Sequence, residues 1–100
     1  MSHTINLAKK LDALGHPLRL KIVAALTDRE MYLNEIAIRL NISRALAKIH
    51  LKKLEKAGIV SSRIVTAQSE AKALRYYKLN DFNLLVSPKT IRKEVENNGQ

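Results

Sequence analysis

Four basic side chains recur at every fourth position within one short stretch of the sequence. They are Arg44, Lys48, Lys52 and Lys56, and they lie in NISRALAKIHLKKLEKAGIV. On a helix, residues four apart are neighbours, and each like-charged pair is destabilising by about 0.2–0.5 kcal/mol. Binding to phosphates would replace this repulsion with attraction and release counterions. The row therefore indicates a partner that carries phosphates.

The positive charge of the chain is concentrated in the same region. The net charge of the whole sequence is +9, and residues 41–80 hold nine basic and two acidic side chains. Residues 1–40 hold six basic and four acidic side chains, and residues 81–100 hold three of each. A local excess of this kind favours a polyanionic partner over general solubility. A basic surface that contacts only solvent is the alternative.

Residues suited to catalysis or metal binding are sparse. The sequence has no cysteine, which excludes disulfides and thiolate metal sites. Its histidines, His3, His16 and His50, are far apart, so no metal site is predicted. We expect His50 to be a structural histidine near the core and His16 to cap or pack at a helix start. No phosphate loop and no nucleophile–histidine–acid motif is present, so we predict no enzyme activity and no cofactor.

Length and composition favour one small helical domain over residues 1–100. The chain is 46% hydrophobic with only 4% aromatic residues, which fits a small aliphatic core. The N-terminal segment MSHTINLAKKLDALG has no apolar run long enough for a signal peptide or a membrane span. We therefore expect a soluble cytoplasmic protein without membrane contact.

Helical spacing of apolar residues predicts two helices before residue 30. The first, INLAKKLDAL, ends at Gly15, and the second, PLRLKIVAAL, starts at Pro17, where a missing N–H has no cost. The residues expected to be buried in the second helix are Leu18, Ile22, Val23 and Leu26. The segment MYL that follows is predicted as a short strand.

A helix-turn-helix is predicted at about residues 34–57. Asn34 and Ser43 are the expected N-caps of its two helices, and Gly58 is the expected stop of the second. The second helix is basic and follows a turn of three residues, as in a helix-turn-helix. Its predicted buried residues are Ala47, Leu51 and Leu54.

A change of period after the helix-turn-helix predicts a β-hairpin wing at about residues 59–79. β-Branched and aromatic residues there flank the polar loop AQSEAK. DFNLLVS is a further candidate strand, and Ser87 and Pro88 mark the start of a C-terminal helix at about 88–97. The predicted fold class is mainly α with a small β-hairpin wing, a winged helix-turn-helix.

This architecture assigns DNA contacts to the second helix and the wing. In a helix-turn-helix the second helix lies in the major groove, with its N-terminal residues toward the base edges. Base contacts are expected from Arg44, Ala45 and Lys48, and phosphate contacts from Lys52, Lys53 and Lys56. The full predicted set is Ser43, Arg44, Ala45, Lys48, Ile49, Lys52, Lys53, Lys56, Arg63, Lys72 and Arg75.

Apolar residues of the terminal helices are left over by this architecture. They could pack on the domain or on a second chain, and we favour the second chain because a domain this small would otherwise leave them in contact with water. The predicted dimer contacts are Leu7, Leu11, Leu14, Ile91 and Val95.

Three segments of the sequence match the pattern of one known family. LDALGHPLRLKIVAAL is similar to an Ala-Leu-x-x-Pro-x-Arg-x-x-Ile-Leu start, LNEIAIRLNISRALAKIHLKKLEKAGIV to a helix-turn-helix, and RYYKL to the end of a wing. Together, over about residues 7–79, they resemble the ArsR-type winged-helix transcription regulators. The resemblance implies a homodimer, held mainly by its terminal helices, that represses transcription.

The chain departs from the metal-sensing members of that family. Tyr32, Leu33 and Asn34 stand where those members carry Cys-x-Cys before the recognition helix. The C-terminal segment has Glu94 and Glu96 but no histidine. The resemblance therefore does not imply metal sensing, and we expect a member of the family that does not sense metals.

The predicted function is sequence-specific binding to double-stranded DNA by a homodimer that regulates transcription, and the family resemblance implies repression. Lys48 and Ile49 replace the family's usual Ser and His or Arg in the recognition helix, so a DNA sequence preference is not implied. A sequence-tolerant architectural DNA-binding protein is one alternative. A winged-helix protein–protein interaction module is another, which Ile49 favours and the basic charge opposes.

Overall fold

The structure, a computed structural model, describes residues 3–66 and 73–97. Within these ranges the chain forms five helices and three strands. In chain order they are α1 (His3–Leu14), α2 (Pro17–Leu26), β1 (Met31–Tyr32), α3 (Leu33–Leu40), α4 (Arg44–Lys56), β2 (Val60–Thr66), β3 (Ala73–Leu79) and α5 (Pro88–Asn97). This order confirms the predicted fold class, with α3 and α4 as the helix-turn-helix and β2 and β3 as the wing.

The strands form one antiparallel sheet in the order β1-β3-β2. Met31 pairs with Tyr77, and Tyr77 also pairs with Ser62 on the other side. Strand β1 directly precedes α3, so this pairing fixes the start of the helix-turn-helix to the base of the wing. The position of the wing relative to the start of α3 is therefore set by backbone hydrogen bonds.

Local capping defines both ends of α4, as the sequence predicts. The hydroxyl of Ser43 accepts a hydrogen bond from the backbone N–H of Leu46 at 3.0 Å. At the other end Gly58 has φ 76°, a left-handed conformation that glycine adopts without a Cβ clash. At α2 the backbone N–H of Leu18 donates to Nδ1 of His16 at 3.0 Å, which confirms the capping role of that histidine.

Two local predictions are wrong. Helix α3 starts at Leu33, with Tyr32 and not Asn34 as its N-cap, because strand β1 keeps the backbone extended up to Tyr32. The N–H of Tyr32 donates to the carboxylate of Glu35 at 3.0 Å. The segment DFNLLVS is not a strand. β3 already has a partner on each side, and Asn80 turns the chain away by donating through its side chain to the carbonyl of Gly58 at 2.9 Å.

The core lies between α2, α3, α4 and the sheet. The predicted buried residues of α4 are confirmed, and Leu51 and Leu54 have no solvent exposure. In α2, Ile22 and Leu26 are buried, whereas Leu18 and Val23 are only partly buried. The main core residues are Ala13, Ile22, Ala25, Leu26, Met31, Ile36, Leu51, Leu54, Ile59, Val60 and Tyr77.

Helix α5 packs against α1 and buries none of its own residues. Its start follows the prediction, since Ser87 Oγ accepts from the backbone N–H of Thr90 at 3.1 Å and Pro88 occupies the first helical position. The two terminal helices thus form one outer layer of the chain. Among the helices of the described residues, none has the length and apolar character needed to cross a bilayer.

Candidate nucleic-acid interface

The outer surface of α4 carries the basic row. Each step of four residues turns about 40° beyond a full helical turn, so a row at this spacing winds around the helix. The inner side of α4 is defined by the buried Ala47, Leu51 and Leu54. The row starts on the flank toward the wing and reaches the outermost face near the C-terminal end. All four of its members, Arg44, Lys48, Lys52 and Lys56, are exposed.

A basic cleft separates the start of α4 from the base of the wing. Its volume is about 500 Å³, and Arg44, Lys48 and Arg75 contribute three cations to its lining. Asn34, near the start of α3, lines the same cleft. The sequence predicts only a capping role for Asn34. One feature of the sequence could have indicated this position. Asn34 is a polar residue in the first turn of the first helix of the helix-turn-helix, and that turn lies close to the recognition helix.

Arg75 is oriented toward α4 by a short chain of hydrogen bonds. Alternate residues of a strand face the same side of a sheet, so Arg75 shares the face of the buried Tyr77. Its Nη1 donates to Ser62 Oγ at 2.9 Å, and Ser62 Oγ donates to Glu55 Oε2 of α4 at 2.8 Å. The guanidinium is therefore held beside the recognition helix.

Arg63 lies on the opposite face of the wing. It pairs in register with Tyr76, over whose ring its guanidinium lies at 5.6 Å from the centroid. Its Nη2 is 3.0 Å from Glu30 Oε1, so a carboxylate already neutralises it. The predicted wing cations are thus divided between two faces, and Lys72, the third, lies outside the described residues.

Lys53 points away from the basic row toward α1. Its Nζ lies 2.8 Å from Asp12 Oδ2, and this ion pair lowers the pKa of the Asp12 carboxyl below its usual value. A groove of about 410 Å³ between the two helices is lined by Lys9, Lys52 and Ile49, among others. Lys53 therefore joins the recognition helix to α1.

Comparison with known proteins identifies the family. Residues 16–62 match the family described as bacterial regulatory protein, arsR family. Over 93% of its length the chain is 37% identical to an uncharacterized HTH-type transcriptional regulator of Methanocaldococcus jannaschii, of which it covers 96%. The chain belongs to the ArsR family of transcriptional regulators. It therefore has a winged helix-turn-helix DNA-binding domain, and the ArsR resemblance predicted from the sequence is confirmed.

Solved structures of similar fold include several regulators. Reduced HlyU from Vibrio cholerae is 25% identical, with a TM-score of 0.64 over 92% of this chain and 84% of that one. NolR from Sinorhizobium fredii is 27% identical, with a TM-score of 0.63 over 92% of this chain and 79% of that one. A homodimeric winged helix-turn-helix DNA-binding domain from Mycobacterium bovis, 21% identical, has a TM-score of 0.64 over 91% and 73% of the two chains and shows the fold alone.

Beneath the recognition helix of this ArsR-family chain lies a buried arginine that sequence reasoning missed. Arg19 of α2 is only 8% exposed. Its Nε donates to the carbonyl of Ala13 at 2.6 Å, and its Nη1 lies 3.0 Å from Nδ1 of His50. Its Nη2 donates to the carbonyl of Asp12 at 3.3 Å. These carbonyls lie at the C-terminal end of α1, where the helix dipole favours a cation. The signal was an arginine between two leucines of a helix with a single other charged residue, Lys21.

His50 is a structural histidine, as predicted. A guanidinium can only donate, so Nδ1 of His50 accepts from Arg19, and the ring proton of the neutral imidazole is on Nε2. Burial, the nearby His16 ring and the charge of Arg19 lower the pKa of His50 below its ordinary value. The two imidazole centroids are 4.6 Å apart. His50 thus connects α4 to α2 and, through Arg19, to α1.

Metal ligands are not assembled among the described side chains of this ArsR-family chain, which are those of residues 6–66 and 73–97. Within these ranges no three side chains of His, Cys, Asp or Glu are grouped so that they could hold an ion. His16 and His50 are the histidines with described side chains, and Nδ1 of each already accepts a hydrogen bond.

Proposed function

We propose that this ArsR-family regulator binds a specific site in double-stranded DNA as a homodimer, with α4 in the major groove, and represses transcription from that site. One observation carries the proposal. The basic row of α4 stands free on the surface beside the cation of Arg75, with a cleft of about 500 Å³ between them. A phosphate backbone next to a helix in the major groove would run through such a cleft.

The proposed contacts divide by position along α4. Arg44, Ala45 and Lys48 are in the first half of the helix, where docking brings side chains to the base edges. An arginine there can donate two hydrogen bonds to guanine. Lys52 and Lys56, farther along, would contact phosphates. Ser43 contributes at the start of the helix, although its hydroxyl already accepts a hydrogen bond in the N-cap.

Two of the remaining cations, Arg63 and Lys53, rank below these residues. Arg63 and Lys53 are part of the proposed interface, but each has a carboxylate partner in the free protein. Contact with a phosphate would require that ion pair to break or to be shared, which reduces the gain. Arg75 can contact a phosphate without breaking an ion pair, since its hydrogen-bond partner is the neutral Ser62. Lys72 stays a predicted contact outside the described residues.

The proposed dimer contacts lie on α1 and α5. Ile91 is 41% exposed and Val95 53% exposed, although both are large apolar residues. Leu7 and Leu11 are partly exposed on α1, the helix that packs against α5. Leu14 is partly buried against the chain's own core, so we expect it to contribute least to the dimer. The Mycobacterium bovis domain of the same fold is a homodimer.

A double substitution tests the dimer. Ile91→Glu with Val95→Glu places charges on an exposed face, so we expect a folded monomer with much weaker DNA binding. Sedimentation measures the association state, and circular dichroism checks the fold. Leu20→Glu, at an exposed position of α2, is the matched control and should still dimerise. A wild-type protein that is monomeric at tens of micromolar would contradict the proposal.

Selection of binding sites from random DNA tests the function as a whole. The recognition helices of a two-fold dimer are spaced by about one turn of DNA. We therefore expect an enriched inverted repeat with half-site centres about 10 base pairs apart. Tight binding without enrichment would indicate a sequence-tolerant architectural protein. Absence of binding to any duplex would indicate a protein–protein interaction module. Transcription in vitro from a promoter carrying the selected site then tests repression.

A further inference from the structure

The first half of α4 exposes an apolar strip, which we define as Ala45, Leu46 and Ile49. Ile49 is 65% exposed and Leu46 37% exposed, and Ala45 is also on the surface. Positions 45 and 49 are neighbours on a helix, as are 46 and 49. The strip is therefore continuous, and it occupies the part of the recognition helix that would face the base edges.

Cations flank this apolar strip on both sides. Lys48 lies on the side toward the wing, and Lys53 lies on the side toward α1. Lys52 follows Ile49 at the next turn. Ile49 lies at the edge of the groove beside α1, but most of its side chain is exposed and makes no packing contact with its own chain, because the buried side of α4 is the opposite one. The strip is thus available to whatever contacts the basic row.

Aliphatic side chains can recognise only one feature of the major groove. They neither donate nor accept hydrogen bonds, so they cannot distinguish base edges by polar pattern. The C5-methyl group of thymine is the apolar feature that the four base pairs present there, and it is read by apolar contact. Arginine and lysine at the flanks supply the polar contacts to guanine and to phosphates.

We propose that Ile49, with Ala45 beside it, contacts a thymine methyl group, so that each half-site contains a thymine at that position. The inference rests on the proposed function. A protein partner is disfavoured because it would have to bury Lys48 and Lys52 along with the strip, and unpaired buried charges are strongly unfavourable. The walls of the major groove instead present phosphates to both flanks.

The expected gain in DNA affinity follows from the burial of one thymine methyl group. Burying one such methyl group increases the affinity by about 4-fold. Two equivalent half-sites in one dimer would together contribute about 15-fold. This is small beside the phosphate contacts but is large enough to define a preferred base pair.

Uracil scanning measures that contact directly. Each thymine of the selected site is replaced by deoxyuridine, which removes the methyl group and leaves the Watson–Crick pairing unchanged. We expect one position in each half-site at which this replacement weakens binding by about 4-fold. Fluorescence anisotropy at constant salt gives the dissociation constants.

A matched variant assigns the contact to Ile49. Ile49→Ala keeps a good helix former at an exposed position, so the fold should be unchanged by circular dichroism. We expect it to bind the thymine site more weakly than wild type and to be insensitive to uracil at the critical position. Leu20→Ala, which removes an exposed leucine from α2, should retain the full uracil effect.

Several outcomes would overturn the inference. Uracil could have no effect at any position, the selected half-site could lack thymine under α4, or Ile49→Ala could keep the wild-type uracil effect. Each of these can occur while selection still enriches a specific inverted repeat, so the inference can fail while the proposed function stands. Selection without enrichment would instead remove both.

Discussion

Two arginines near α4 differ in what surrounds their charge. Arg44, at the start of the helix, is exposed and lines the basic cleft. Arg19 lies beneath the helix, where carbonyls of Ala13 and Asp12 and the imidazole of His50 accept all three of its hydrogen bonds. The exposed charge is available to a polyanion, whereas the buried charge holds three helices together. The same residue type thus serves binding or stability according to its burial.

Because Arg44 is exposed and Arg19 is buried, added salt should weaken DNA binding strongly and change the folding stability little. A dimer that makes about 6–10 phosphate contacts should lose roughly 10³–10⁵ in DNA affinity between 50 and 200 mM salt. The buried contacts of Arg19 are screened much less, so the unfolding midpoint in urea should change little over the same range. Anisotropy titrations and urea unfolding at each salt concentration make the test. A flat response of DNA affinity would contradict the phosphate contacts.

Removal of the buried arginine should affect stability much more than removal of the exposed one. Arg19→Ala leaves Nδ1 of His50 and the carbonyl of Ala13 without their donor, whereas the carbonyl of Asp12 still accepts from the backbone N–H of Gly15. Each unsatisfied buried group costs about 1–3 kcal/mol. We expect a loss of about 2–6 kcal/mol in the free energy of unfolding, measured in urea. Arg44→Ala is the control and should stay within about 0.5 kcal/mol of wild type. Equal losses would show that the contacts of Arg19 are not stabilising.

Within the basic row, Arg44 should affect the DNA sequence preference, whereas Lys52 should affect the affinity for all DNA sequences. Arg44→Ala should reduce binding to the selected site by about 1–3 kcal/mol and relax the preference at one base pair. Lys52→Ala should weaken binding to all sequences about equally and lower the salt slope by about one. Binding to selected and scrambled duplexes at several salt concentrations distinguishes the two. If the variants behave alike, α4 is a basic surface and not a reading helix.

The pH dependence of stability should report His50. Its pKa is lowered in the folded state, so below the ordinary value of about 6.5 the unfolded state binds the proton more readily. Stability from this group is complete above that pH and is lost as pH falls through the lowered folded pKa. One such group changes the free energy of unfolding by at most about 1.4 kcal/mol per pH unit.

A neutral replacement of His50 isolates its contribution to the pH dependence of stability from the contributions of other titratable groups. His50→Gln keeps an acceptor for Arg19 but cannot bind a proton in this range. We expect its unfolding free energy to fall less steeply than that of wild type between pH 7 and pH 5. His16, Arg19, Asp12 and Lys53 face the same region and are present in both proteins, so they cancel in the comparison. Parallel pH profiles would show that His50 does not titrate as proposed.

Much of the fold could be predicted from local pattern. Ser43 and Gly58 mark the ends of α4, and the period of its apolar residues identifies the buried side. The predictions that were wrong, the cap at Asn34 and a strand at DFNLLVS, fail where a strand pairing decides the backbone conformation. Such a pairing joins residues that are distant along the chain, as with Tyr32 and Tyr76.

The sequence by itself determined the helices, the wing and the concentration of positive charge, because caps, period and composition depend on residues a few positions apart. Only the tertiary structure decided which cations are free. Lys53 meets Asp12 and Arg63 meets Glu30 through the packing of separate elements. Whether a charge has a partner depends on how the helices and the sheet are placed, and the spacing of residues along one helix carries no information about that placement.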